Sequence, residues 1–435
     1  MSHTPLPSLE GTLTLAAGGR GTVSPNPMVG ACVVRDDRVV GRGYHGRYGG
    51  PHAETVALDE AGEAARGGTL YCNLEPCSFT APDKHQPPCT RRIIEAGVRR
   101  VVIGQLDPNP RVSGRGVEEL RRHGIEVEIA RDATEFWRFN DAFNTWMALR
   151  RPFVHLKTAM SLDGRVATTA GDSRWITGTE ARARGHRFRS ERDAIGVGIG
   201  TVLADDPILT NRHGRGTDPR PVVFDSHLRI PLESALVSRR GKELVVVCSG
   251  GGTDDAGTWP RYPSTGPVEA GTEVPGARTE RPTADPGTLE ARKRALEEQG
   301  VTIVSVALDT DGRPDLTEAI QHLARLGITS ILVEGGPTLL TSFLRAGLYD
   351  RISAFIAPTL IGSGRDAVGD LGIEYLRNAI DLEQVRWESV GDDQLLDAYR
   401  PGWLAEVTSV ISTSAAVGVG AAAPAKEVHH VHRAG

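Results

Sequence analysis

Twice in the first third of this chain a helical stretch, a glycine and a strand follow one another. Thr90 to Ala96 has helical spacing, Gly97 stops it, and Val98 to Gly104 is an apolar run of strand length. Val117 to His123, Gly124 and Ile125 to Ile129 repeat that order. Strands fed by helices in this way share a sheet with helices packed on its faces, an α/β sandwich. Upstream, Met28 to Arg42 reads as two short strands around a charged turn, and Thr69 to Leu74 as a strand. His52 to Ala65 reads as a helix whose apolar face carries Ala53, Val56, Ala57 and Leu58.

A sandwich of this kind does not use up 435 residues, so a second domain is expected. The boundary falls near Arg150–Pro152, giving residues 1–150 and 151–402. Phe153 onward opens a fresh strand, and further strands are expected at 194–199, 221–225, 244–248, 303–306, 330–334 and 352–358. Helical patterns at 179–192, 289–298, 315–326 and 337–346 lie between several of them, so this unit is α/β as well. Residues 249–287 are dense in Gly, Pro, Thr and Asp and read as a flexible surface insertion. Residues 403–435 read as a disordered tail. Its uncharged run 407–425 is about long enough to span a bilayer, but it holds Ser, Thr, Gly and Pro and no Leu or Phe.

Composition removes several function classes. A net charge of −5 and 5% aromatic residues argue against a nucleic-acid-binding surface. The first residues lack a basic stretch followed by an apolar one, so no export signal is read, and a cytoplasmic location and no membrane partner are expected. The five cysteines, Cys32, Cys72, Cys77, Cys89 and Cys248, are too few and too scattered for a disulfide scaffold.

Two of those cysteines belong to a pattern. His52-Ala53-Glu54 stands at a helix start, and Pro76-Cys77 and then Cys89 follow downstream. His-x-Glu with Pro-Cys and a second Cys is the signature of zinc-dependent nucleobase deaminases. A neutral imidazole and two thiolates balance Zn²⁺ and fill three tetrahedral positions, leaving one at which a water can be activated. Glu54, beside the ligands but not among them, is placed to carry the water's proton to a ring nitrogen and on to departing ammonia. Cys77 and Cys89 are each expected to precede a helical turn, where the helix dipole favours thiolate. A purely structural zinc site would normally add a fourth protein ligand. The eleven residues between Cys77 and Cys89 are more than the two of the usual signature.

The second half carries weaker signals. Gly196 to Gly200 after a strand is a phosphate loop or a simple turn. Glu334-Gly335-Gly336-Pro337-Thr338 follows a strand and opens a helix, where backbone N–H groups could hold a diphosphate; a tight strand-to-helix turn is the equal alternative.

Several motifs in series resemble one family. In the first half they are Ser24-Pro25-Asn26-Pro27-Met28-Val29-Gly30, Gly43-Tyr44-His45, Leu74-Glu75-Pro76-Cys77-Ser78, Pro87-Pro88-Cys89 and Asp107-Pro108-Asn109-Pro110. In the second they are Arg151-Pro152-Phe153-Val154, Ser161-Leu162-Asp163-Gly164-Arg165, Trp175-Ile176-Thr177, Thr201 to Pro207, Leu209-Thr210-Asn211-Arg212 and Val333 to Leu339. Over roughly residues 10–400 the chain resembles the bifunctional riboflavin-biosynthesis deaminase–reductases.

The resemblance implies a cytidine-deaminase-like α/β/α sandwich followed by a dihydrofolate-reductase-like α/β domain, with Zn²⁺ and NADPH as cofactors. It implies hydrolytic deamination of 2,5-diamino-6-(5-phosphoribosylamino)pyrimidin-4(3H)-one, then reduction of the ribosyl group to ribityl, and a homo-oligomer. It implies NADPH contacts from Ala159, Trp175, Thr201, Asp205, Ser226, Gly335, Gly336, Pro337, Thr338, Leu339 and Leu340. Substrate contacts are implied for Ser173, Arg189, Leu209, Arg212 and Glu334. Lys157 and Asp205 are candidate polar groups near the transferring hydride.

The chain departs from the family pattern between the two cysteines. Phe79 stands where a His is usual, the loop is longer, and Lys84-His85-Gln86 stands where Gly-Arg-Thr is expected. Lys84 or His85 is therefore expected to contact the substrate phosphate or ring. The departure leaves open a reductase-only protein or one serving a related pyrimidine. A nucleic-acid-editing deaminase and a noncatalytic zinc module are the other classes, and neither explains the second half.

Overall fold

The computed structural model describes residues 8–80, 86–212, 216–250 and 288–415. The first unit is built on a five-stranded sheet in the order Arg38–Tyr44, Gly30–Arg35, Thr69–Leu74, Arg100–Gln105, Glu126–Ile129. The two N-terminal strands form an antiparallel hairpin, and Gly30–Arg35 is also antiparallel to Thr69–Leu74. The last three strands are parallel, as strands joined through the helices Cys89–Glu95 and Arg115–Arg122 require. Helix Ala53–Ala61 lies directly on strand Arg38–Tyr44. A methyl group at Gly41 would stand 2.1 Å from the Ala57 carbonyl oxygen, and one at Gly43 2.3 Å from that of Ala53. Two glycines thus let the helix come close enough to bury its alanine face and fix its first turn.

The second unit has a nine-stranded sheet. Its order is Thr302–Val306, Val245–Ser249, Arg220–Phe224, Ala194–Gly198, Ser330–Val333, Phe153–Ser161, Arg351–Ala357, Asp393–Tyr399, Glu383–Val390. The first seven run parallel, and the last two pairings, Arg351–Ala357 with Asp393–Tyr399 and Asp393–Tyr399 with Glu383–Val390, are antiparallel. Those last two strands are not among the ones expected from the sequence. Strand Glu383–Val390 is mostly exposed at the sheet edge, and its charges hide the apolar pattern that marks buried strands. Both faces of the parallel part are covered. Leu316, Ile320, Leu323, Leu340 and Phe343 pack on one, and Ile199, Val202, Leu236 and Leu296 on the other.

Ala194–Gly198 continues toward Arg220–Phe224 on one side, whereas Ser330–Val333 continues toward Arg351–Ala357 on the other. The adjacent carboxyl ends of these two strands are therefore a topological switch point, where open α/β sheets bind ligands.

The units meet along helix Asp141–Leu149. Asp141 is buried and accepts from Arg192 (2.9 and 3.1 Å), Arg351 (3.1 Å) and the Tyr399 hydroxyl (3.0 Å). Residues 403–415 correct the expectation of a disordered tail from 403, because Trp403–Ala415 is a helix. Trp403 stacks on Tyr399 at 4.3 Å, donates to Thr145 Oγ1 at 3.0 Å and is fully buried with Val407. Its apolar positions find a partner in a helix of the first unit, which sequence-local reasoning does not see. Residues 416–435 and most of the 249–287 insertion lie outside the described residues. Among the described residues no helix is long and apolar enough to cross a membrane.

Candidate active sites

His52 takes the cap position of helix Ala53–Ala61, and Glu54 lies in its first turn. Strand Thr69–Leu74 delivers Glu75, Pro76 and Cys77 at its carboxyl end, and Cys89 is the first residue of helix Cys89–Glu95. His52 Nδ1 lies 3.2 Å from Cys89 Sγ and 3.5 Å from Cys77 Sγ. The three ligand atoms are all within 4.8 Å of one another. One imidazole and two thiols so close together suit zinc, and a set of three leaves a position open as a catalytic site needs. The helical turn expected after Cys77 is not there, for residues 75–80 form no helix. The backbone N–H of Cys89 reaches the Cys77 sulfur instead, at 3.4 Å.

A cavity of about 380 Å³ opens beside these residues. Glu54 lines it and is 3% exposed. Burial, foremost, pushes its carboxyl above the usual range, Cys77 adds to this, and His52 opposes it. Asn26, His45, Phe79, Gln86, Asp107, Asn109 and Phe143 complete much of the wall. His45 Nδ1 stands 2.9 Å from the Pro51 carbonyl and so carries the proton there. Nε2 is left to accept from the Asn26 amide at 3.1 Å. Burial lowers the His45 pKa, which keeps this ring neutral. Asp107 is pushed up to about 8, chiefly by burial and further by the Glu75 and Cys77 charges. It can therefore present a carboxylic acid to a ligand at neutral pH.

Glu75 holds this wall together. Its carboxylate accepts from the backbone N–H groups of Asp107 (3.1 Å), Gly114 (2.9 Å), Gly116 (3.0 Å) and Val117 (3.3 Å). Asn26, His45, Glu75, Asp107 and Asn109 all lie in the motifs that carry the family resemblance, yet no role was assigned to them. Their chemistry comes from burial and from partners distant in sequence. Phe79 packs against Cys77, Cys89 and Val112 and lines the cavity. Lys84 and His85 lie outside the described residues.

The second cleft, about 1040 Å³, opens at the switch point of the large sheet. Ser173, Thr201, Asp205, Ser226, Glu334, Gly335, Gly336, Pro337, Thr338 and Leu339 all line it. Helix Pro337–Arg345 starts here with Pro in its first turn and no side-chain cap, and helix Ile199–Asp205 is likewise uncapped. Their first N–H groups are thus left for a ligand. A methyl group at Gly335 would lie 2.7 Å from Leu339 Cδ2 and 2.9 Å from its Cβ, so a larger residue at that turn would have to displace Leu339. The cleft's volume and its free N–H groups fit a dinucleotide such as NADPH. Gly196 to Gly198 ends the strand expected at 194–199, and Gly198 and Gly200 line the cleft.

Other expected contacts lie around this cleft. Arg189 binds Glu334 with both nitrogens of one side of its guanidinium (3.1 and 2.7 Å) and the Thr210 carbonyl at 3.0 Å. Burial raises the Glu334 pKa, but Arg189 and then Lys157 outweigh it and hold the group at about 2. Lys157 is lowered, first by burial. Ala159 packs beside Phe188 and Phe355, and Arg212 is exposed. Trp175 is 68% exposed, with the Arg182 guanidinium 4.6 Å from its ring centre. Leu209 and Leu340 bury their side chains in the core, so a ligand could meet only their main chain.

Comparison with known proteins follows the same division. Residues 12–105 match the cytidine and deoxycytidylate deaminase zinc-binding region, and residues 152–255 and 280–396 match the RibD C-terminal domain. The riboflavin biosynthesis protein RibD of Aquifex aeolicus is 37% identical over 386 residues, covering 88% of this chain and 95% of that one. The structure of Acinetobacter baumannii RibD is 31% identical with a TM-score of 0.71, over 90% of this chain and 97% of that one. A diaminohydroxyphosphoribosylaminopyrimidine deaminase/5-amino-6-(5-phosphoribosylamino)uracil reductase of Thermotoga maritima has the same identity and coverage and a TM-score of 0.68. The two halves are therefore a cytidine-deaminase-like domain and a RibD-type reductase domain, both α/β. The chain belongs to the RibD family of bifunctional deaminase–reductases of riboflavin biosynthesis.

Proposed function

We propose that the first site hydrolyses the exocyclic amine of 2,5-diamino-6-(5-phosphoribosylamino)pyrimidin-4(3H)-one. The second site then reduces the ribosyl group of the resulting 5-amino-6-(5-phosphoribosylamino)uracil to ribityl with NADPH. The observation that carries this reading is the gathering of His52, Cys77 and Cys89 within 4.8 Å, beside buried Glu54. Zinc held by those three residues supplies a Lewis acid that makes water acidic near neutral pH. Glu54 takes a proton from the attacking water and hands it to the ring nitrogen, then takes the remaining proton from the hydroxyl on the tetrahedral carbon and gives it to the amine, which leaves as ammonia as the C=O bond forms. Asp107 and the Asn26–His45 pair line the same cavity and can hydrogen-bond the polar edge of the ring.

In the second cleft the Gly335–Thr338 turn holds the dinucleotide's diphosphate, and Arg189 and Glu334 orient the sugar. Bound there, NADPH would supply the hydride to the sugar carbon as that carbon's bond to the ring oxygen opens, and Lys157 would supply the proton that the oxygen takes up. We further propose a homo-oligomer in the cytoplasm. Leu376 and Trp387, 91% and 61% exposed, are apolar surface that self-association would cover.

Incubation with the diaminopyrimidine phosphoribosyl compound tests the reading. Without NADPH, ammonia and the uracil should accumulate. With NADPH, the ribityl product should appear with one NADPH oxidised per turnover. Absence of ammonia under both conditions would refute the deaminase assignment.

A further inference from the structure

The deaminase pocket must accept a substrate with a phosphate at one end. Among the described residues that line it, Arg111 is the only Lys or Arg. The same side chain also lines an adjoining cleft of about 430 Å³, with Ser78, Phe79, Arg115, Glu118, Glu119 and Arg122. Arg111 thus stands where the cavity beside the metal ligands opens toward a small basic groove. Three arginines face two glutamates there, and none of the three is in an ion pair among the described residues.

We propose that Arg111, supported by Arg115, binds the phosphate of the deaminase substrate. This rests on the deaminase reading above and names the group that selects a nucleotide over a nucleoside. It places that role on the segment 107–115, not on Lys84 or His85.

The backbone around Arg111 is fixed in advance. Asp107 Oδ1 accepts from the Asn109 N–H at 2.8 Å, and Asn109 Oδ1 accepts from the Arg111 N–H at 3.0 Å. The Asn109 carbonyl accepts from Val112 and Ser113 at 2.8 and 3.0 Å. On either side of these turns the chain is tied to the Glu75 carboxylate, through the N–H groups of Asp107 before them and of Gly114, Gly116 and Val117 after them. A methyl group at Gly116 would lie 2.3 Å from the Pro76 carbonyl oxygen, so the start of helix Arg115–Arg122 is held against the segment that carries Cys77. The root of the Arg111 side chain is therefore set relative to the metal ligands. The guanidinium itself is free to meet a dianion with two parallel N–H bonds.

The ratio of deaminase kcat/KM for the phosphoribosyl compound to that for its dephosphorylated counterpart is the test. Partial unfolding or metal loss affects both substrates alike and cancels in the ratio. The intact protein should favour the phosphorylated compound, and Arg111→Ala should shrink that preference about tenfold or more, mainly through KM. Arg111→Lys should keep part of it, and Arg115→Ala should cost less. An unaltered preference in Arg111→Ala, or its loss in Lys84→Ala alone, would overturn the assignment while leaving the deaminase reading intact. Equal turnover of both compounds by the intact protein would do the same. If the intact protein releases ammonia from neither, the deaminase reading falls first and this inference with it.

Discussion

At the floor of the first pocket the chemistry resides in side-chain atoms: one imidazole, two sulfurs and one carboxyl, from residues 52 to 89. Along the second cleft much of the wall is main chain, at the ends of two strands that lie far apart in sequence and side by side in the sheet. One site is specified by which atoms are present, the other by where a sheet divides. A single atom should therefore decide activity at the first, whereas the second should be more sensitive to whatever holds its shape. The two also differ in how they handle buried charge. Burial raises Glu54 and Asp107, while Glu334 stays ionised against its cation neighbours.

Glu54→Gln gives the largest expected effect and the sharpest form of this contrast. The variant keeps the shape of the pocket and cannot shuttle a proton. Deamination should fall by about 10²–10⁴-fold. Zinc content by atomic absorption should stay near one per chain, and NADPH oxidation on the preformed uracil substrate should continue. His52→Ala should lose zinc as well. Equal zinc loss in both variants would make Glu54 a structural residue.

Legibility followed the same division. His52, Glu54, Cys77 and Cys89 could be read because metal chemistry restricts residue type and because short spacings survive folding. The sheet-and-helix alternation was equally plain, since it reflects local periodicity. Asp107 was not legible as a protonated acid, because its raised pKa comes from burial and from the Glu75 and Cys77 charges. Asp141, Arg192 and Arg351 read in sequence as three ordinary surface charges. Only the folded chain brings them together across 210 residues. The helix Trp403–Ala415 was misread for a similar reason, as its partner is helix Asp141–Leu149.

That joint limits how separate the two sites can be. A cut at 150 and another at 402 would each pass through one packed cluster, which contains Trp137, Phe153, Tyr399, Trp403 and Val407. Asp141→Ala should show the same dependence in the intact chain. It leaves the buried Arg192 guanidinium without its carboxylate, while Arg351 keeps Asp397, a change worth about 3–5 kcal/mol. Thermal unfolding should shift down, and both activities should be lost at the same temperature. If only the reductase transition moves, the halves are more independent than this contact implies.

Glu334 offers a smaller effect with a defined pH signature. Its folded pKa of about 2 lies below the ordinary carboxyl value of 4.5. The ionised form is thus stabilised by folding at pH above 4.5, and that contribution is lost as pH falls toward 2. Glu334→Gln should lower reductase-domain stability at pH 7 by at most about 3 kcal/mol. The gap between variant and wild type should close between pH 4.5 and 2 in calorimetric scans. A gap that stays constant with pH would mean that the carboxylate's charge is not what stabilises this corner of the cleft.

The smallest expected effect concerns the insertion between strand Val245–Ser249 and helix Leu289–Glu298. The match to the RibD C-terminal domain breaks after residue 255 and resumes at 280, so the residues between are no part of the fold the family shares. The chain is anchored on both sides of that break. The Gly250 N–H donates to the Val306 carbonyl at 3.2 Å, next to strand Val245–Ser249. Thr288 caps helix Leu289–Glu298 by accepting from the Ala291 N–H at 3.2 Å. With both anchors kept, closure entropy depends only weakly on what joins them. Each halving of the connection changes it by about 0.6 kcal/mol. Replacing residues 256–279 with a short Gly/Ser linker should therefore leave the melting temperature, KM for NADPH and reductase kcat within about twofold of the starting values. Glu54 and the metal ligands, in the other unit, should not register the change at all. A reductase KM that rises severalfold with unaltered melting would show that this segment reaches the cleft. The second site would then depend on side chains outside the shared fold, and the contrast with the first would narrow.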